Sequence, residues 1–582
     1  MSEDSLDSGS ERRILPLQAG QLRSAHSITS VRSTSPQQRL GISPPRPTLS
    51  VDLTNHFTRP LTDQLSSESE IGTLDMLSVQ DELASSMNSL SFAPLRELPN
   101  PFRTSIEDQS EEQQGPLPQG KQFFILTSAG KQIYTMHGED EYVMGLMGIV
   151  HTLVSYFQVR NGSHEELRSI TTYDNNGVLQ KFAFMRKKYI VLLVMTNHNE
   201  SDQDLQQQLD LLYSHLVSTL SQRQLNRLFG KRENFDLRNF LSESDFHSLD
   251  QLCRAMCQGS HPGWWLGALE CVTMDSSVRN RIHSIMLHST KDLAPGTLLY
   301  GLIVAPGQRL VSVMRPRGHT LHTTDLQLLF SMVENQLQLL DSQQEAWVPI
   351  CFPKFNSNGF LYYYVKFLPE DASNSANIIE GDNAVRPALI LISPRTNKFY
   401  ELREAASSMI DALGSARLLP YIHNPSRITI NDIPAPLAHH FIYKSKKYVQ
   451  YVMPETIGIN TNWQTLMTYY AHLKASVRND NGHTLNQTAL SFLRWSSNSN
   501  EPLLHNSPDI RFSATGNVSG ACLLEEELDM IGLTWITANF ELYLICNNCT
   551  LDRKIVLKSA RNIVSWCKRK ERKLFVSEGA VF

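Results

Sequence analysis

The chain has 582 residues, of which 41% are hydrophobic, and its formal net charge is −5. This length allows about three or four domains, and this apolar fraction is sufficient for folded cores. The slightly acidic balance argues against a nucleic-acid-binding protein, which usually carries a strongly basic domain. Eight cysteines are too few for a disulfide framework, so we expect reduced thiols and a cytoplasmic protein.

Residues 1–120 are rich in serine and proline and lack Trp, Tyr and Cys. Such a segment cannot bury enough apolar surface to offset the entropy lost on ordering, so we predict a disordered tail over 1–120. Ser35-Pro36 and Ser43-Pro44 are candidate phosphorylation sites; a passive tail is the equal alternative. The acidic, polar N-terminus is not typical of a targeting signal, and we expect only peripheral membrane contact.

The folded part begins at "KQFFILTSAGKQIYTMHG", whose two apolar runs and small turn predict a β-hairpin. A helix in "EDEYVMGLMGIVHTLVSYFQ" follows, and then strands in "EELRSITTYD", "VLQKFAFMRK" and "YIVLLVMTN". Ser201 or Asp202 is expected to cap the next helix, "DQDLQQQLDLLYSHLVSTL", which has leucines on one face at helical spacing. This unit spans residues 121–222.

The same order of elements, β-β-α-β-β-β-α, is predicted twice more, at 293–418 and 435–582. Residues 223–292 predict a helical linker, and an Asn- and Ser-rich stretch at about 480–525 predicts a flexible loop. Antiparallel hairpins flanked by helices indicate an α/β (α+β) fold with three domains, each a five-stranded, mostly antiparallel sheet.

The sequence contains no constellation for covalent catalysis. It lacks a GxxxxGK[ST] phosphate loop, a GxGxxG turn after a strand, an HExxH motif and a GxSxG elbow. Cys546 and Cys549 have CxxC spacing without a second ligand pair, and His439 and His440 are expected to be exposed at a strand start. We therefore predict no metal site, no cofactor and no enzyme chemistry, and look for binding surfaces.

The helix of the first unit is apolar over a wider arc than one sheet requires. A partner subunit on a second face is one interpretation, because Gly145 and Gly148 permit close approach; a large internal core is the other. Candidate contact residues are Leu146, Met147, Val150, Leu153, Tyr156 and Phe157, and Ile149 belongs to the same apolar set.

The stretch "EAWVPICFPKFN" contains Pro349 and Pro353, which cannot donate ladder hydrogen bonds. It is therefore predicted to be an edge or irregular segment with aromatic side chains near the surface. Trp347, Phe352 and Phe355 are candidate partner anchors. Packing into the core is the alternative.

The C-terminal helix is basic and amphipathic. A solvated face on the last core helix is the simpler interpretation, and contact with anionic lipid is the functional one. The candidate membrane residues are Lys568, Arg569, Lys570, Arg572 and Lys573.

Four sequence segments resemble the Mon-one family: "FFILTSAGKQIYTMHGEDE", "EAWVPICFPKFNSNGF", "HFIYKS" and "ANFELYLI". The resemblance covers roughly residues 121–582. The resemblance implies three longin domains. It also implies a subunit that pairs with a Ccz-one-like tri-longin protein and promotes guanine-nucleotide exchange on a Rab GTPase of the Rab-seven class. It further implies that the complex is located on the surface of late endosomes, multivesicular bodies and vacuoles, where it serves vacuole fusion and autophagy.

Under this interpretation the apolar helix and the aromatic stretch belong to the platform for the partner and the GTPase, and the basic helix meets an anionic or phosphoinositide membrane. Exchange needs a surface that prefers the nucleotide-free GTPase, not a nucleophile. The alternative is a non-catalytic longin-type scaffold or tethering adaptor.

Overall fold

The computed structural model describes residues 95–99, 120–136, 145, 148–150, 152–153, 156, 167–173, 179–197, 200–232, 235–259, 261–317, 320–337, 345–369, 386–455, 463–477, 488–496, 530–547, 552–577 and 580–581. Most of the predicted tail lies outside these residues. The exception is strand β1, Leu95–Pro99, which pairs in parallel with an edge strand of the third domain. The prediction of disorder is wrong for these five residues, because a neighbouring sheet edge supplies the hydrogen bonds that composition alone does not reveal.

The first domain contains an antiparallel sheet of five strands in the order β3-β2-β6-β5-β4. Its strands are β2 Gln122–Thr127, β3 Gln132–Thr135, β4 Ser169–Tyr173, β5 Leu179–Arg186 and β6 Ile190–Thr196. Helix α1, Asp202–Leu220, follows. The side chain of Ser201 caps α1 by accepting a hydrogen bond from the backbone N–H of Asp204 at 3.2 Å, which confirms a cap at this site.

The predicted linker helices are present after the first domain. The elements are α2 Gln222–Lys231, a 3-10 turn Leu237–Phe240, α3 Glu243–Gln258, α4 Pro262–Leu266, strand β7 Leu269–Glu270 and α5 Ser276–Ser289. Helix α3 begins at a capping box formed by Ser242 and Asp245 and ends at Gly259, whose φ of +62° suits glycine.

The second domain repeats the first. Its elements are β8 Tyr300–Ala305, β9 Arg309–Arg315, α6 Thr323–Leu337, β10 Glu345–Phe352, α7 Pro353–Asn356, β11 Ser357–Phe367, β12 Ala388–Ser393, α8 Phe399–Ser415 and α9 Leu419–His423. The sheet order β9-β8-β12-β11-β10 is equivalent to that of the first domain, strand for strand.

The third domain has the same order, β14-β13-β17-β16-β15. Its elements are a 3-10 turn Ile430–Asp432, β13 Ala438–Ser445, β14 Gln450–Val452, α10 Trp463–Ala475, β15 Ala489–Ser496, β16 Met530–Ile536, β17 Phe540–Asn547, α11 Arg553–Arg569, α12 Glu571–Leu574 and β18 Ala580–Val581. The three-fold repeat predicted from the sequence is confirmed.

Two expectations about the third domain are wrong. Strand β15 lies inside the stretch predicted to be a flexible loop, because Phe492, Leu493 and Trp495 are buried although their flanks are polar. The rest of that loop lies outside the described residues. His439 and His440, both expected to be exposed, are buried because β13 is a central strand, and His440 contacts the hydroxyl of Tyr470 at 2.6 Å.

Three short strands that do not belong to the five-stranded sheets cover sheet edges. β7 of the linker pairs with β14, the C-terminal β18 pairs with β9, and β1 pairs with β15, each in parallel. Covering an edge removes unpaired backbone groups that could recruit another chain. β18 thus joins the C-terminal segment to the second domain, whereas β7 joins the linker to the third domain and β1 joins the segment before the first domain to the third.

Candidate partner-binding surfaces

The helical segment of the first domain, here called the platform helix, includes Gly145, Gly148–Val150, Thr152, Leu153 and Tyr156 among the described residues. Val150 is 2% exposed and packs in the apolar cluster of Phe124 and Leu193 on the sheet. Ile149 is 61% exposed and Tyr156 is 52% exposed. Because residues seven apart lie on the same side of a helix, Ile149 and Tyr156 share one outward face.

Two glycines lie on the exposed part of the platform helix. A Cβ atom added to Gly145 or Gly148 would meet no atom within 4 Å. Both positions are exposed, as is Thr152, so backbone and small side chains border the two large apolar groups. We call Gly145, Gly148, Ile149, Thr152 and Tyr156 the outer face. This composition lets another helix or strand approach closely.

The outer face differs from the predicted set of contact residues. Val150 lies on the inner face against its own sheet, so its assignment to a partner surface is wrong. Leu153 is half-buried, and Tyr156 is exposed. Leu146, Met147 and Phe157 lie outside the described residues. Ile149 was not among the predicted contact residues, although its seven-residue spacing from Tyr156 places both on one side of the helix.

The equivalent helix of the second domain, α6, is covered on both sides. One side packs on its own sheet through Leu329 and Phe330. On the other side, Leu328 is 1% exposed within the apolar cluster of the first domain, and α3 lies against the helix. The side chain of Gln327 donates a hydrogen bond to the carbonyl oxygen of Ala268 at 2.9 Å. The first domain and the linker therefore occupy the outer side of α6.

The equivalent helix of the third domain, α10, is also covered, by polar contacts. The ammonium group of Lys474 lies 2.9 Å from a carboxylate oxygen of Asp204 on α1 and donates to the carbonyl of Trp265 at 2.7 Å. The indole of Trp463 donates to the carbonyl of Gly259 at 3.1 Å. Of the three equivalent helices, the platform helix alone exposes large apolar side chains among the described residues.

The aromatic stretch of the second domain forms the edge strand β10, as its prolines predict. Trp347 is partly buried and stacks on Tyr362 with ring centroids 5.7 Å apart. Phe355 is 42% exposed, whereas Phe352 is 1% exposed. The prediction of a surface position for Phe352 is wrong, because side chains alternate along a strand and Phe352 faces the core beneath α6.

Asp325 on α6 fixes the turn that carries Phe355. It is fully buried, and its two carboxylate oxygens accept the backbone N–H groups of Lys354 at 3.1 Å and Phe355 at 3.0 Å. Burial raises the pKa of Asp325 to about 6. The ammonium group of Lys354 in turn lies 2.7 Å from Asp210 on α1, so the turn is joined to the first domain.

The basic C-terminal segment is partly neutralised by neighbouring acids. Arg569, Lys570 and Arg572 are exposed, but Lys573 lies 3.2 Å from Asp275. The pKa of Asp432 is lowered by hydrogen bonds from Thr429 and, less strongly, by the charges of Lys570 and Lys573.

Two ammonium groups of this segment lie over aromatic rings. That of Lys568 is 5.8 Å from the ring centroid of Phe540, and that of Lys570 is 4.9 Å from the ring centroid of Trp566. The residues that pack inward include Ile563, Val564 and Trp566, as on a last core helix. The segment is therefore only partly available to a membrane.

The described residues contain no group of three or more His, Cys, Asp or Glu side chains arranged to hold a metal ion. Nor does any described helix combine the length and apolar character that crossing a membrane requires.

Comparison with known families defines the class of protein. Residues 121–252 match the first longin domain of FUZ, MON1 and HPS1, residues 296–411 match the second, and residues 438–571 match the third. The three repeated sheets are therefore longin domains, as the resemblance implied.

The full-length relatives narrow the class to one family. The chain is 56% identical to "Vacuolar fusion protein MON1" of Eremothecium gossypii over 100% of this chain and 99% of the relative. It is 43% identical to the protein of that name in Saccharomyces cerevisiae over 84% of this chain and 76% of the relative. The corresponding protein of Candida glabrata is 35% identical over 87% of this chain and 84% of the relative. The chain belongs to the MON1 family, and its role is in trafficking that leads to vacuole fusion.

Proposed function

We propose that this chain is one subunit of a heterodimeric guanine-nucleotide exchange factor for a Rab GTPase of the Rab-seven class. Its partner is a Ccz-one-like protein that also contains three longin domains. The complex works peripherally on late-endosomal and vacuolar membranes, and it serves vacuole fusion and autophagy. The observation that carries the proposal is the outer face of the platform helix, whose apolar side chains Ile149 and Tyr156 are exposed.

The repeated fold supports a partner at this face. In the second and third domains, the helix at the same position is covered by other parts of the chain, through Leu328 in one case and Lys474 in the other. The platform helix is equivalent in the fold and retains an apolar outer face beside two glycines. Exposed apolar groups of this kind favour an interaction site. A second longin subunit would cover them as the first domain covers α6.

Exchange by such a complex requires no nucleophile. A surface that binds the opened, nucleotide-free switches of the GTPase more tightly than the nucleotide-bound form shifts the equilibrium toward release. Phe355 and Trp347 offer a second aromatic contact on the domain that packs against the first. Because Asp325 holds the Phe355 turn in place, this contact is fixed before any partner binds.

The experiment is release of a fluorescent guanine nucleotide from purified Rab-seven-class GTPase. We expect little release with the chain alone and rapid release with the chain and its co-purified partner. A non-catalytic scaffold would bind the same partner without accelerating release. A Rab of an unrelated class is the control, and equal acceleration for both GTPases would contradict the assigned specificity.

A further inference from the structure

A short segment after α11 contributes to two domains at once. It comprises residues 572–576 and is here called the clasp segment. The side chains of Leu574, Phe575 and Val576 are buried. The ring of Phe575 stacks on Tyr448 of the third domain, with ring centroids 5.8 Å apart, whereas Val576 packs in the apolar core of the second domain. Neighbouring residues of the clasp segment therefore lie in the packing of different domains.

The main chain of the clasp segment is held from both sides. On the third-domain side, the side-chain amide of Gln450 on β14 donates to the carbonyl oxygen of Val576 at 3.2 Å and accepts the N–H of the same residue at 2.9 Å. On the linker side, the N–H of Met274 donates to the carbonyl oxygen of Lys573 at 3.0 Å. Beyond the clasp segment, β18 pairs with β9 at the edge of the second domain. The chain thus continues from the third domain onto the second.

A buried cation joins the clasp segment to the second domain. Arg279 lies on α5 and is 3% exposed. Its guanidinium group donates to the carbonyl oxygens of Phe575 at 2.7 Å, Arg572 at 3.3 Å and Val272 at 2.6 Å. Helix α5 itself packs against β9 and α8 of the second domain. Arg279 therefore connects the clasp segment to an element that is fixed on the second domain.

Two of the three carbonyl groups that bind Arg279 belong to the clasp segment. A charged group is tolerated in the interior only where hydrogen bonds replace those of water. If the clasp segment moved away, the guanidinium group would keep only the carbonyl of Val272 among these three acceptors. Detachment of the clasp segment therefore requires Arg279 to reach water, which opens the boundary next to α5.

We propose that Arg279 and the clasp segment form a latch that couples the second and third domains. The closed latch holds the two domains as one unit, and the open latch frees the boundary between them. Neighbouring contacts across this boundary are short, since β7 and β14 share two residue pairs and Glu270 accepts one hydrogen bond from Tyr451. The latch lies outside the platform helix and the aromatic stretch, so the proposal is independent of the proposed exchange function.

The test is hydrogen–deuterium exchange of the full-length chain, measured by mass spectrometry. Arg279→Met removes the guanidinium group and keeps an apolar side chain on α5. We expect at least about tenfold faster exchange in the clasp segment and in β14, with β2 and β6 of the first domain unchanged. The matched control is R281M, which removes an exposed arginine from the same helix. Arg281 donates to the carbonyl oxygen of Ala416 at 3.2 Å, away from the clasp segment, so R281M should exchange as the wild type does.

A second variant decides the test even if Arg279→Met does not fold. Gln450→Ala removes both hydrogen bonds to Val576 and leaves α5 unchanged, so it should produce the same local pattern of faster exchange. R279K should give an intermediate rate, because an ammonium group lacks the planar fork that reaches several carbonyls together. Wild-type exchange in the clasp segment of both Arg279→Met and Gln450→Ala would overturn the proposal. Equally faster exchange in all three domains would also overturn it, because Arg279 would then support the whole fold and not one boundary.

Discussion

The first-domain platform helix and α6 of the second domain occupy equivalent positions in equivalent sheets, yet their outer sides differ. Leu328 on α6 is buried in the core of the first domain, whereas Ile149 on the platform helix is 61% exposed. The chain therefore uses one longin helix to join its own domains and leaves the corresponding helix available. Under the proposed function, the exposed side is an interface of the same kind, and its matching surface belongs to the partner subunit.

The largest difference in stability is expected between aspartate substitutions on the two sides of the platform helix. Val150→Asp places a charge in the dry cluster of Phe124 and Leu193, so we expect the first domain to lose about 4 kcal/mol of stability or to unfold. Ile149→Asp introduces the same charge at an exposed position and should change stability by less than about 0.5 kcal/mol. Thermal unfolding of both variants provides the measurement. Equal destabilisation would show that Ile149 is not on an outer face.

Removing the buried ion pair between α10 and α1 should reduce stability by nearly as much. Lys474→Met leaves the carboxylate of Asp204 without its close ammonium partner, and removing one member of a buried pair costs about 3–5 kcal/mol. Chemical denaturation measures the loss. The double variant K474M/D204L removes both charges and should recover a large part of it. No recovery would mean that Lys474 acts through its other contacts, including the carbonyl of Trp265.

Alanine substitutions of side chains of equal size on α6 and on the platform helix test whether only α6 is covered on its outer side. Leu328→Ala removes a side chain buried between two domains and should cost about 2–4 kcal/mol. Ile149→Ala removes a side chain of the same size from the outer face and should cost less than about 0.5 kcal/mol in the isolated chain. Urea denaturation distinguishes them. Similar losses of stability in the two variants would contradict the conclusion that α6 is covered and the platform helix is exposed.

A smaller effect of pH is expected at the contact between the second and third domains. Glu270 on β7 accepts a hydrogen bond from the hydroxyl of Tyr451 at 3.3 Å. Burial raises the pKa of Glu270 to about 7, although the charge of Arg309 opposes the shift. The folded state therefore binds the proton more tightly than the unfolded state. Stability from this group is present at low pH and is lost as the pH rises from about 4.5 to 7, by roughly 2 kcal/mol.

The variant Glu270→Gln checks the sign of this pH effect. An amide does not titrate, so its unfolding free energy should fall less between pH 4.5 and 7 than that of the wild type. Denaturation series at several pH values give the comparison. A wild-type stability that rises over this range would contradict the assignment.

The sequence predicted the repeat because each domain carries its own local signals. These signals are the continuous apolar runs of β6 and β12, the Ser201 cap and the leucine spacing of α1, and each lies within one short segment of the chain. The edge position of β10 followed from Pro349, which cannot donate a ladder hydrogen bond. Such features depend on neighbours along the chain and are visible without a structure.

The features that the sequence did not predict depend on contacts between distant segments. Leu95–Pro99 is ordered because it pairs with β15 at a sheet edge, and β15 is ordered because it pairs with β16 and buries Trp495. Phe352 is buried because α6 lies over it, and Val150 faces inward because of the rotation of its helix on the sheet.

We propose above that the outer face of the platform helix binds the partner subunit. The most direct measurement is co-purification of the Ccz-one-like partner with the double variant I149D/Y156D, together with nucleotide release from the Rab-seven-class GTPase. We expect unchanged thermal unfolding of the isolated chain, loss of the partner and nucleotide release no faster than with the chain alone. Full recovery of the partner and wild-type release by this variant would contradict it.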